Sequence, residues 1–326
     1  MKIHEFNIKN NQSRLLKLDF ENKDLATPTY FPAISSVEKN KNFSELVNLI
    51  IKSSYPQMLI SAYDYNHFFK NNKKLALLIN KYSKKHFLFV DSGGYESFWN
   101  PTKKWNHNLY EKTISQIKSD LHTSYDEESD SVKKLETVFD SIIDGGSLLP
   151  SSQYMPIFHA KDSKQLVTTI KKFLEEYPYA ISLLAVREKE LGLTLSDRAK
   201  TVFEIRKILK KSGGNQLLHI LGAGHPLSIA LYSYCGADSF DSTDWFTHLL
   251  DLNLCILRDI SQLELVKGIS PSIDKIKNPY VRTVVHNLDS YNALMKKIQA
   301  MIRNNKLKQY LIKQKIPSSF LTKVTK

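Results

Sequence analysis

Short apolar segments alternate with amphipathic segments along most of this chain. The apolar segments have the length of buried strands and span residues 15–20, 29–34, 58–63, 86–90, 154–158, 180–186 and 217–221. Between them, apolar side chains recur at helical spacing, as in residues 166–174 and 202–209. Strand and helix in alternation predict a parallel sheet covered by helices. A closed eight-stranded barrel is favoured over an open sheet at this length, although periodicity alone leaves both possible.

The alternation ends near residue 251, and this predicts two regions. We expect residues 1–251 to form the barrel and residues 252–326 to form a helical C-terminal appendage. Basic residues are concentrated in the last part of that appendage, from residue 303 to the end. Such a tail is either a solvated end or an arm that lies along a phosphate backbone.

A carboxylate follows the predicted strand at residues 86–90. The sequence there is Asp-Ser-Gly-Gly-Tyr, residues 91–95. The two glycines allow a ligand to approach the backbone closely, and Tyr95 offers a flat aromatic face beside Asp91. This combination suits a planar heterocycle better than a metal or a phosphate. Taken alone, the same residues also describe a turn with a solvated aspartate.

Two further aspartates lie in similar positions. Asp126 follows a short strand-like stretch, and Asp241 follows a helix-like segment. Because the carboxyl ends of barrel strands meet at one mouth, Asp91, Asp126 and Asp241 are predicted to converge there. Carboxylates around one pocket are typical of glycosidic chemistry, in which one is the nucleophile, one transfers protons and one recognises donors on the substrate.

The charge of the chain restricts what the substrate can be. Lys and Arg number 46 against 33 Asp and Glu, which gives a formal net charge of +13. This charge favours a polyanionic partner, although biased base composition of the gene is an alternative explanation. Basic residues cluster at 73–85, 206–211 and 303–326, and 16 Tyr and 16 Phe are available for base stacking.

The remaining global features predict a cytoplasmic protein. The two cysteines, Cys235 and Cys255, form no CxxC pair, which fits a reducing compartment without a disulfide framework. The first residues lack the apolar core of a signal peptide. No apolar run reaches the length needed to cross a membrane, so no membrane partner is expected.

Residues 91–95 resemble the signature of the tRNA-guanine transglycosylase (queuine/archaeosine tRNA-ribosyltransferase) family. Members of this family exchange guanine for a 7-deazaguanine inside a polynucleotide. Six further segments resemble family motifs in the same order. They are residues 26–32 (T-P-x-F-x-P), 125–127 (F-D-E), 184–188 (L-A-V-G-E), 221–226 (M-G-V-G-x-P), 236–241 (G-I-D-M-F-D) and 286–295 (H-N-L…L-M). The family fold is a (β/α)8 barrel, in agreement with the periodicity.

The resemblance implies a role for each of the residues already singled out. Asp241 would attack the sugar C1′ of the target nucleotide. Asp91 would carry protons between the departing guanine and the incoming base, and Asp126 would accept hydrogen bonds from the Watson–Crick edge of the base. Tyr95 would stack on one face of the base and Leu221 would cover the other. A carboxylate nucleophile gives a covalent intermediate and retention after two displacements.

Three departures from the family pattern concern the base pocket. His159 stands where the family has a glutamine, Leu183 where it has a glycine, and Glu128 where it has a cysteine. By the resemblance, His159, Leu183 and Gly222 are assigned to base binding together with Tyr95. A more closely filled pocket favours a base without a bulky substituent. His159 either contacts the base or is an ordinary histidine at a strand end.

Two larger family elements are absent. Where the tRNA enzymes have a P-T-R element and a basic loop that grips RNA, this chain has Ser-Thr-Asp-Trp-Phe at 242–246. The family's zinc site needs a C-x-C-x-x-C cluster and a histidine. His286 lies at the position of that histidine, but Cys255 alone cannot complete a site. We therefore expect no zinc and no cofactor, with His286 as a packed or capping residue.

These features are similar to the branch of the family that places 7-deazaguanines such as preQ0 into DNA. The first hypothesis is a guanine transglycosylase (a pentosyltransferase) whose partners are DNA and a 7-deazaguanine base. The second is a divergent enzyme that acts on tRNA. The third is a non-catalytic barrel subunit that binds nucleic acid or a partner enzyme. Retention of both Asp91 and Asp241 argues against the third. A homodimer or a partner subunit is compatible with all three.

Overall fold

The computed structural model describes residues 2–6, 13–20, 23–38, 43–69, 72–101, 104–126, 153–177, 181–214, 216–269 and 273–326. The strands are β1 (Lys2–Phe6), β2 (Leu15–Phe20), β3 (Lys23–Ala26), β4 (Thr29–Ile34), β5 (Gln57–Ser61), β6 (Phe87–Asp91), β7 (Leu121–Thr123), β8 (Tyr154–Met155), β9 (Ile157–Phe158), β10 (Leu183–Arg187), β11 (Leu217–Leu221), β12 (Ser239–Ser242), β13 (His248–Asp251) and β14 (Ile256–Asp259). The α-helices are α1 (Phe43–Lys52), α2 (Ala62–Asp64), α3 (Lys73–Ser83), α4 (Gly94–Trp99), α5 (His107–Ile114), α6 (Ser163–Glu176), α7 (Leu195–Lys211), α8 (Pro226–Cys235), α9 (Asp244–Thr247), α10 (Pro279–Arg303), α11 (Leu307–Lys313) and α12 (Ser318–Val324).

The central sheet is a TIM-type barrel. Its strand order is β8-β7-β6-β5-β4-β12-β11-β10-β9, and every neighbouring pair is parallel. The two end members, β8 and β9, are consecutive in the chain and are separated only by Pro156, which has no N–H for the ladder. Residues 154–158 therefore act as one interrupted strand that brings the sheet round on itself. The predicted barrel is confirmed.

Most of the predicted strands are present, with small changes at their ends. Strands β2, β4 and β11 have the predicted bounds. Strand β5 stops earlier than predicted, because the Ser61 side chain accepts a hydrogen bond from Asp64 N and starts the helical turn α2. Strand β12 was not predicted. Its four residues include two serines and Asp241, so it has no apolar run to reveal it.

Two apolar cores lie on either side of the barrel wall. Inward-facing side chains of the barrel strands, such as Phe31, Phe89 and Leu183, form one core with Leu16 and Leu18 of β2. Strands β1, β2 and β3 form a small antiparallel sheet, so this sheet covers one end of the barrel interior. Outward-facing side chains pack under the helices in the larger core. The open end of the barrel is thus opposite the covered one.

The barrel helices bury their apolar faces as the sequence predicts, and side chains cap their first turns. The Asp162 side chain accepts a hydrogen bond from Gln165 N at the start of α6, and Thr194 and Asp197 form a capping box at the start of α7. Side chains at helical spacing are buried against the strands, among them Ile170 of α6 and Val202 of α7. The predicted amphipathic helices are confirmed.

Residues from 252 onward are largely helical and pack on the barrel. The long helix α10 contacts β4 and lies between α1 and α8, which is the place of the eighth helix in a (β/α)8 barrel. Tyr291 of α10 stacks on Tyr30 of β4 with ring centroids 3.9 Å apart. The predicted division after residue 251 therefore separates segments that share one apolar core.

A fully buried ion cluster lies where the last barrel strand meets the first. Asp238 immediately precedes β12, and its carbonyl accepts a hydrogen bond from Thr29 N of β4 (3.1 Å). The Asp238 carboxylate accepts hydrogen bonds from Arg14 Nε (2.9 Å), from Leu218 N (2.8 Å) and from the Arg206 guanidinium. Asp238 thereby joins β11, α7 and the residue that precedes β2 at the point of barrel closure.

Replacement of Asp238 by alanine is expected to destabilise the fold by about 3–5 kcal/mol, because the buried Arg206 loses its counter-charge and the buried Arg14 keeps only the partly exposed Glu5, 3.5 Å away. Chemical denaturation monitored by circular dichroism measures this loss. The control is Asp274→Ala, which removes an exposed carboxylate that lies 3.2 Å from Arg282 and should change the free energy of unfolding little. Losses of similar size in the two variants would contradict the role given to Asp238.

Candidate active site

A cavity of about 400 Å³ opens at the carboxyl ends of the barrel strands. Its walls contain Asp91 from the end of β6, Asp126 from the loop after β7 and Asp241 from β12. The three aspartates predicted to converge therefore lie around one space. The cavity lies near the lower limit of small-molecule sites, which favours one base with its sugar over a longer fragment.

Two glycines shape the turn that follows Asp91. Gly93 has a φ of +83°, and a Cβ there would lie 2.4 Å from Tyr63 Cβ. A Cβ on Gly94 would lie 2.5 Å from the carbonyl oxygen of Asp126. Both positions thus require glycine, one for its backbone angle and both for close approach. The turn brings the loops that carry Asp91 and Asp126 into contact.

Asp91 is held by its own turn and by the next strand. One carboxylate oxygen accepts a hydrogen bond from Gly93 N (3.1 Å) and the other accepts one from Thr123 Oγ1 (3.2 Å). Burial raises the pKa of Asp91, and the nearby charges of Asp126 and Asp241 raise it further. A raised pKa favours the protonated form of the carboxyl group, which is the form that can donate a proton.

Asp241 is positioned by a histidine that the sequence analysis did not identify. Asp241 Oδ1 accepts hydrogen bonds from His219 Nε2 (3.1 Å) and from Gly222 N (3.1 Å). The other ring nitrogen of His219 lies 2.8 Å from Ser239 Oγ, so a neutral ring satisfies both contacts. No residue in the described part of the chain donates to Asp241 Oδ2. One oxygen is thus fixed while the other can react.

Asp126 belongs to an ionic network at the cavity wall. Arg187 donates to its Oδ2, and His159 Nε2 lies 3.1 Å from its Oδ1 at ion-pair distance, although not in the direction of a hydrogen bond. His159 Nδ1 lies 3.0 Å from Glu190 Oε1. Burial opposes ionisation, but His159 and Arg187 together lower the pKa of Asp126 to about 2. Asp126 is therefore an anion at neutral pH.

The same network favours the protonated, positively charged form of His159. Burial alone would lower the pKa of His159, but Asp126 and Glu190 raise it to about 9. His159 does not line the cavity, and its Nε2 lies 3.1 Å from Oδ1 of Asp126, which does. The structure therefore places His159 against Asp126 and not on the cavity wall.

Tyr95, Leu221 and Gly222 line the cavity as predicted, whereas Leu183 does not. Leu183 is fully buried in the interior core at the opposite end of β10 from Arg187. Arg187 lies four residue steps further along the extended strand, a distance of about 13 Å. The assignment of Leu183 to the base pocket is therefore wrong, and Arg187 is the β10 residue that reaches the cavity. Glu128 lies outside the described residues.

Glu96 is a further cavity residue that the sequence analysis did not single out. Its side chain is buried and receives a hydrogen bond from Ser35 Oγ, while its Oε2 has no partner among the described residues. Burial, with the charges of Asp64 and Asp91, raises the pKa of Glu96 well above its usual value and favours the neutral acid. Its place directly after the Asp-Ser-Gly-Gly-Tyr segment is the signal that could have identified it.

His219 and Arg187 also had signals in the sequence. His219 is a polar residue inside an otherwise apolar strand, a local inconsistency that often marks a functional position. Arg187 replaces the glycine of the L-A-V-G-E motif in a segment that otherwise matches it. Both residues could have been noticed in the sequence. The contact of His219 with Asp241 and that of Arg187 with Asp126, however, form only in the closed barrel.

The described part of the chain contains neither a cluster of metal-ligating side chains nor a membrane-spanning helix. His, Cys, Asp and Glu form no group of three or more there that could hold a metal ion. His286 is buried in α10 with Nε2 3.0 Å from the Leu250 carbonyl oxygen, so it is a packed residue. Cys235 and Cys255 are buried free thiols. Among the described helices, none has both the length and the hydropathy of a membrane span.

Comparison with models of known protein families and with curated proteins gives no match for this chain.

His159→Asn is expected to destabilise the protein in a pH-dependent way. Because the folded-state pKa of His159 is raised to about 9 from 6.5, its contribution is complete below pH 6.5 and is lost as the pH rises through 9. The deficit in the free energy of unfolding should be about 2 kcal/mol at pH 6, after allowance for partial exposure, and close to zero at pH 10. Urea denaturation at the two pH values measures it.

The matched control for this experiment is His107→Asn. His107 is half-exposed on α5, and its ring lies 3.7 Å from Glu111. This variant should lower the free energy of unfolding only slightly at both pH values. A His159→Asn deficit that persisted unchanged at pH 10 would contradict the ion-pair network and would indicate lost packing instead.

Proposed function

We propose that this protein is a base-exchange transglycosylase that replaces guanine in a polynucleotide, in the first place DNA, with a 7-deazaguanine such as preQ0. The observation that carries the proposal is the placement of Asp91 and Asp241 on the walls of one cavity beside the aromatic ring of Tyr95. The two carboxylates differ in environment, as a nucleophile and a proton carrier must. Asp241 is fixed by two donors, whereas Asp91 is buried among acids.

In the first displacement, Asp241 Oδ2 attacks C1′ of the target nucleotide. A bond forms between Oδ2 and C1′ while the bond from C1′ to N9 of guanine breaks. The departing guanine takes a proton from Asp91, which is left as a carboxylate. Hydrogen bonds from His219 and Gly222 to Oδ1 hold the carboxylate in position as its negative charge passes to the departing base, and the ester that forms is neutral.

In the second displacement, the incoming 7-deazaguanine loses its N9 proton to Asp91. Its N9 attacks C1′ and releases the Asp241 carboxylate, so both aspartates return to their starting states. Two inversions at C1′ give overall retention. No external acid, base or oxidant is needed, because the proton given to guanine is recovered from the incoming base.

The cavity supplies groups that match a guanine-like base. Asp126, kept ionised by its network, can accept hydrogen bonds from N1–H and the exocyclic amine, and Arg187 can donate to O6. Tyr95 offers a face for stacking and Leu221 an opposing apolar surface. A carboxylate and a guanidinium side by side distinguish guanine-type bases from adenine. Adenine has an acceptor at N1 and a donor at its 6-amino group, where guanine has a donor at N1 and an acceptor at O6.

Charge favours entry of a nucleoside without its phosphates. Six acidic side chains and three basic ones line the cavity, although the chain as a whole carries +13. Phosphates are therefore repelled from the interior and attracted to the outer surface. The target nucleotide must leave its stack to reach this depth, as in enzymes that flip their target base.

DNA is preferred over tRNA as the polymer because of the segment at residues 242–246. Trp245 in this segment is fully buried, and its Nε1 donates to the Ala33 carbonyl oxygen (2.7 Å). Asp244 of the same segment lines the cavity. The segment thus packs against the barrel and presents an acid, which is unlike a basic loop that grips RNA.

The proposed activity is tested by incubation of the protein and radiolabelled guanine with duplex DNA, single-stranded DNA and bulk tRNA in separate reactions. Label in DNA alone is the expected result. Label in tRNA alone would identify the tRNA enzyme of the second hypothesis. Absence of label from all three polymers would favour the non-catalytic barrel subunit.

Asp241→Asn and Asp91→Asn are each expected to reduce base exchange at least about a thousandfold, since each removes a group that forms a bond or transfers a proton. Polynucleotide binding should change little, because it arises chiefly from contacts with phosphates. Wild-type protein should form a covalent adduct that is visible on a denaturing gel, and Asp241→Asn should not. The matched control is Asp274→Asn, which changes an exposed carboxylate that does not line the cavity. Exchange at a wild-type rate by Asp241→Asn would identify a different nucleophile.

A further inference from the structure

Three exposed aromatic side chains share the short helix α4. Tyr95, Phe98 and Trp99 are 45%, 50% and 55% exposed, and they are three of the ten large hydrophobic side chains that are exposed among the described residues. We refer to Phe98 and Trp99 as the aromatic ridge. The concentration of exposed rings in six residues is unusual for a surface that faces only water, and indicates a binding surface.

The ridge is continuous with the cavity. Tyr95 lines the cavity, and its ring centroid lies 6.4 Å from that of Trp99, one helical turn further on. Trp99 in turn lies 5.5 Å from Phe98. Gly94 and Glu96 are buried on the other side of the helix. Helix α4 is therefore anchored on its inner side and presents a row of rings from the cavity wall outward.

The rings do not cover one another. The planes of Tyr95 and Trp99 are 76° apart, and those of Trp99 and Phe98 are 88° apart, so neither pair is stacked face to face. The exposed rings of Phe98 and Trp99 can therefore accept a flat partner. Trp99 is the exposed tryptophan of the chain. Trp105 is only partly exposed and donates its Nε1–H to the Ser92 carbonyl oxygen, and Trp245 is fully buried.

The cavity and the charge of the chain indicate which partner the ridge fits. A cavity of about 400 Å³ admits one nucleoside, so the neighbouring nucleotides of the same strand stay outside, beside its mouth. The net charge of +13 suits the phosphates of that strand outside the cavity. When the target base leaves its stack, the bases on either side of it lose a stacking neighbour.

We propose that Phe98 and Trp99 stack on nucleobases that flank the nucleotide held in the cavity, so that the protein engages its polynucleotide as an unpaired strand. This inference rests on the proposed function, which supplies the nucleotide in the cavity. Aromatic stacking of this kind is tolerant of sequence, because every base has a π face. The ridge thus selects for unpaired structure around the target guanine and contributes little to the choice of sequence.

The test uses the full-length protein and a fluorescein-labelled single-stranded DNA oligonucleotide that contains one guanine. Fluorescence anisotropy measures the Kd of wild type, Phe98→Ala and Trp99→Ala at several salt concentrations. We expect each variant to bind about tenfold to hundredfold more weakly than wild type. The slope of log Kd against log salt should be unchanged, because no charge is removed. Leu193→Ala, at a 95% exposed apolar position off the ridge, is the matched control and should bind as wild type does.

A second oligonucleotide with abasic sites on both sides of the guanine isolates the stacking contact. Wild type should bind this oligonucleotide about as weakly as Trp99→Ala binds the complete strand. The abasic sites should weaken binding by Trp99→Ala only a little further. Equal affinities of wild type and both variants for the complete strand would overturn the inference. A change in the monomer–dimer equilibrium of Trp99→Ala without any change in DNA affinity would also overturn it and assign the ridge to contact between copies.

The same measurements separate this inference from the proposed function. Base exchange by wild type, with affinities that do not depend on Trp99, refutes the ridge alone. Binding that depends on Trp99 without any base exchange refutes the transglycosylase and leaves the ridge as a surface for unpaired strands. Failure of wild type to bind any oligonucleotide refutes both.

Discussion

Closure of the barrel depends on the buried carboxylate of Asp238. It lies between the guanidinium groups of Arg14 and Arg206 and also accepts the backbone N–H of Leu218. Three elements distant in sequence are thus fixed at the start of β12, where that strand pairs with β4. Buried ions are costly to desolvate, so the cluster is stable only when all of its partners are present. Strand β12 carries Asp241, and the same closure therefore sets the position of the proposed nucleophile.

The cavity at the open end uses buried charge in a different way. Asp126 is kept ionised by two cations, Asp91 has its pKa raised by burial and by neighbouring acids, and Glu96 is favoured as the neutral acid. Carboxyl groups within one small space are thus held in different protonation states by their surroundings. This differentiation allows one carboxylate to recognise a base while another transfers a proton.

Prediction from the sequence was most successful where a local pattern was strong. The apolar runs identified β2, β4 and β11, and the strand ends indicated where Asp91 and Asp126 would lie. The short polar strand β12 had no such pattern. Leu183 was misplaced because a motif gives the order of residues along a strand but not the end of the strand that faces the cavity. The contact between His219 and Asp241 joins two strands and has no local signature.

The sequence by itself determined the alternation of strands and helices, the place of Asp91 after an apolar strand and the excess of positive charge, because each depends on neighbouring residues or on composition alone. Only the tertiary structure decided which oxygen of Asp241 is held by donors, that Arg187 and His159 flank Asp126, and that the rings of α4 continue outward from the cavity. These features arise from contacts between strands and loops far apart in the chain. Such contacts exist only after the sheet has closed and buried polar groups have found their partners.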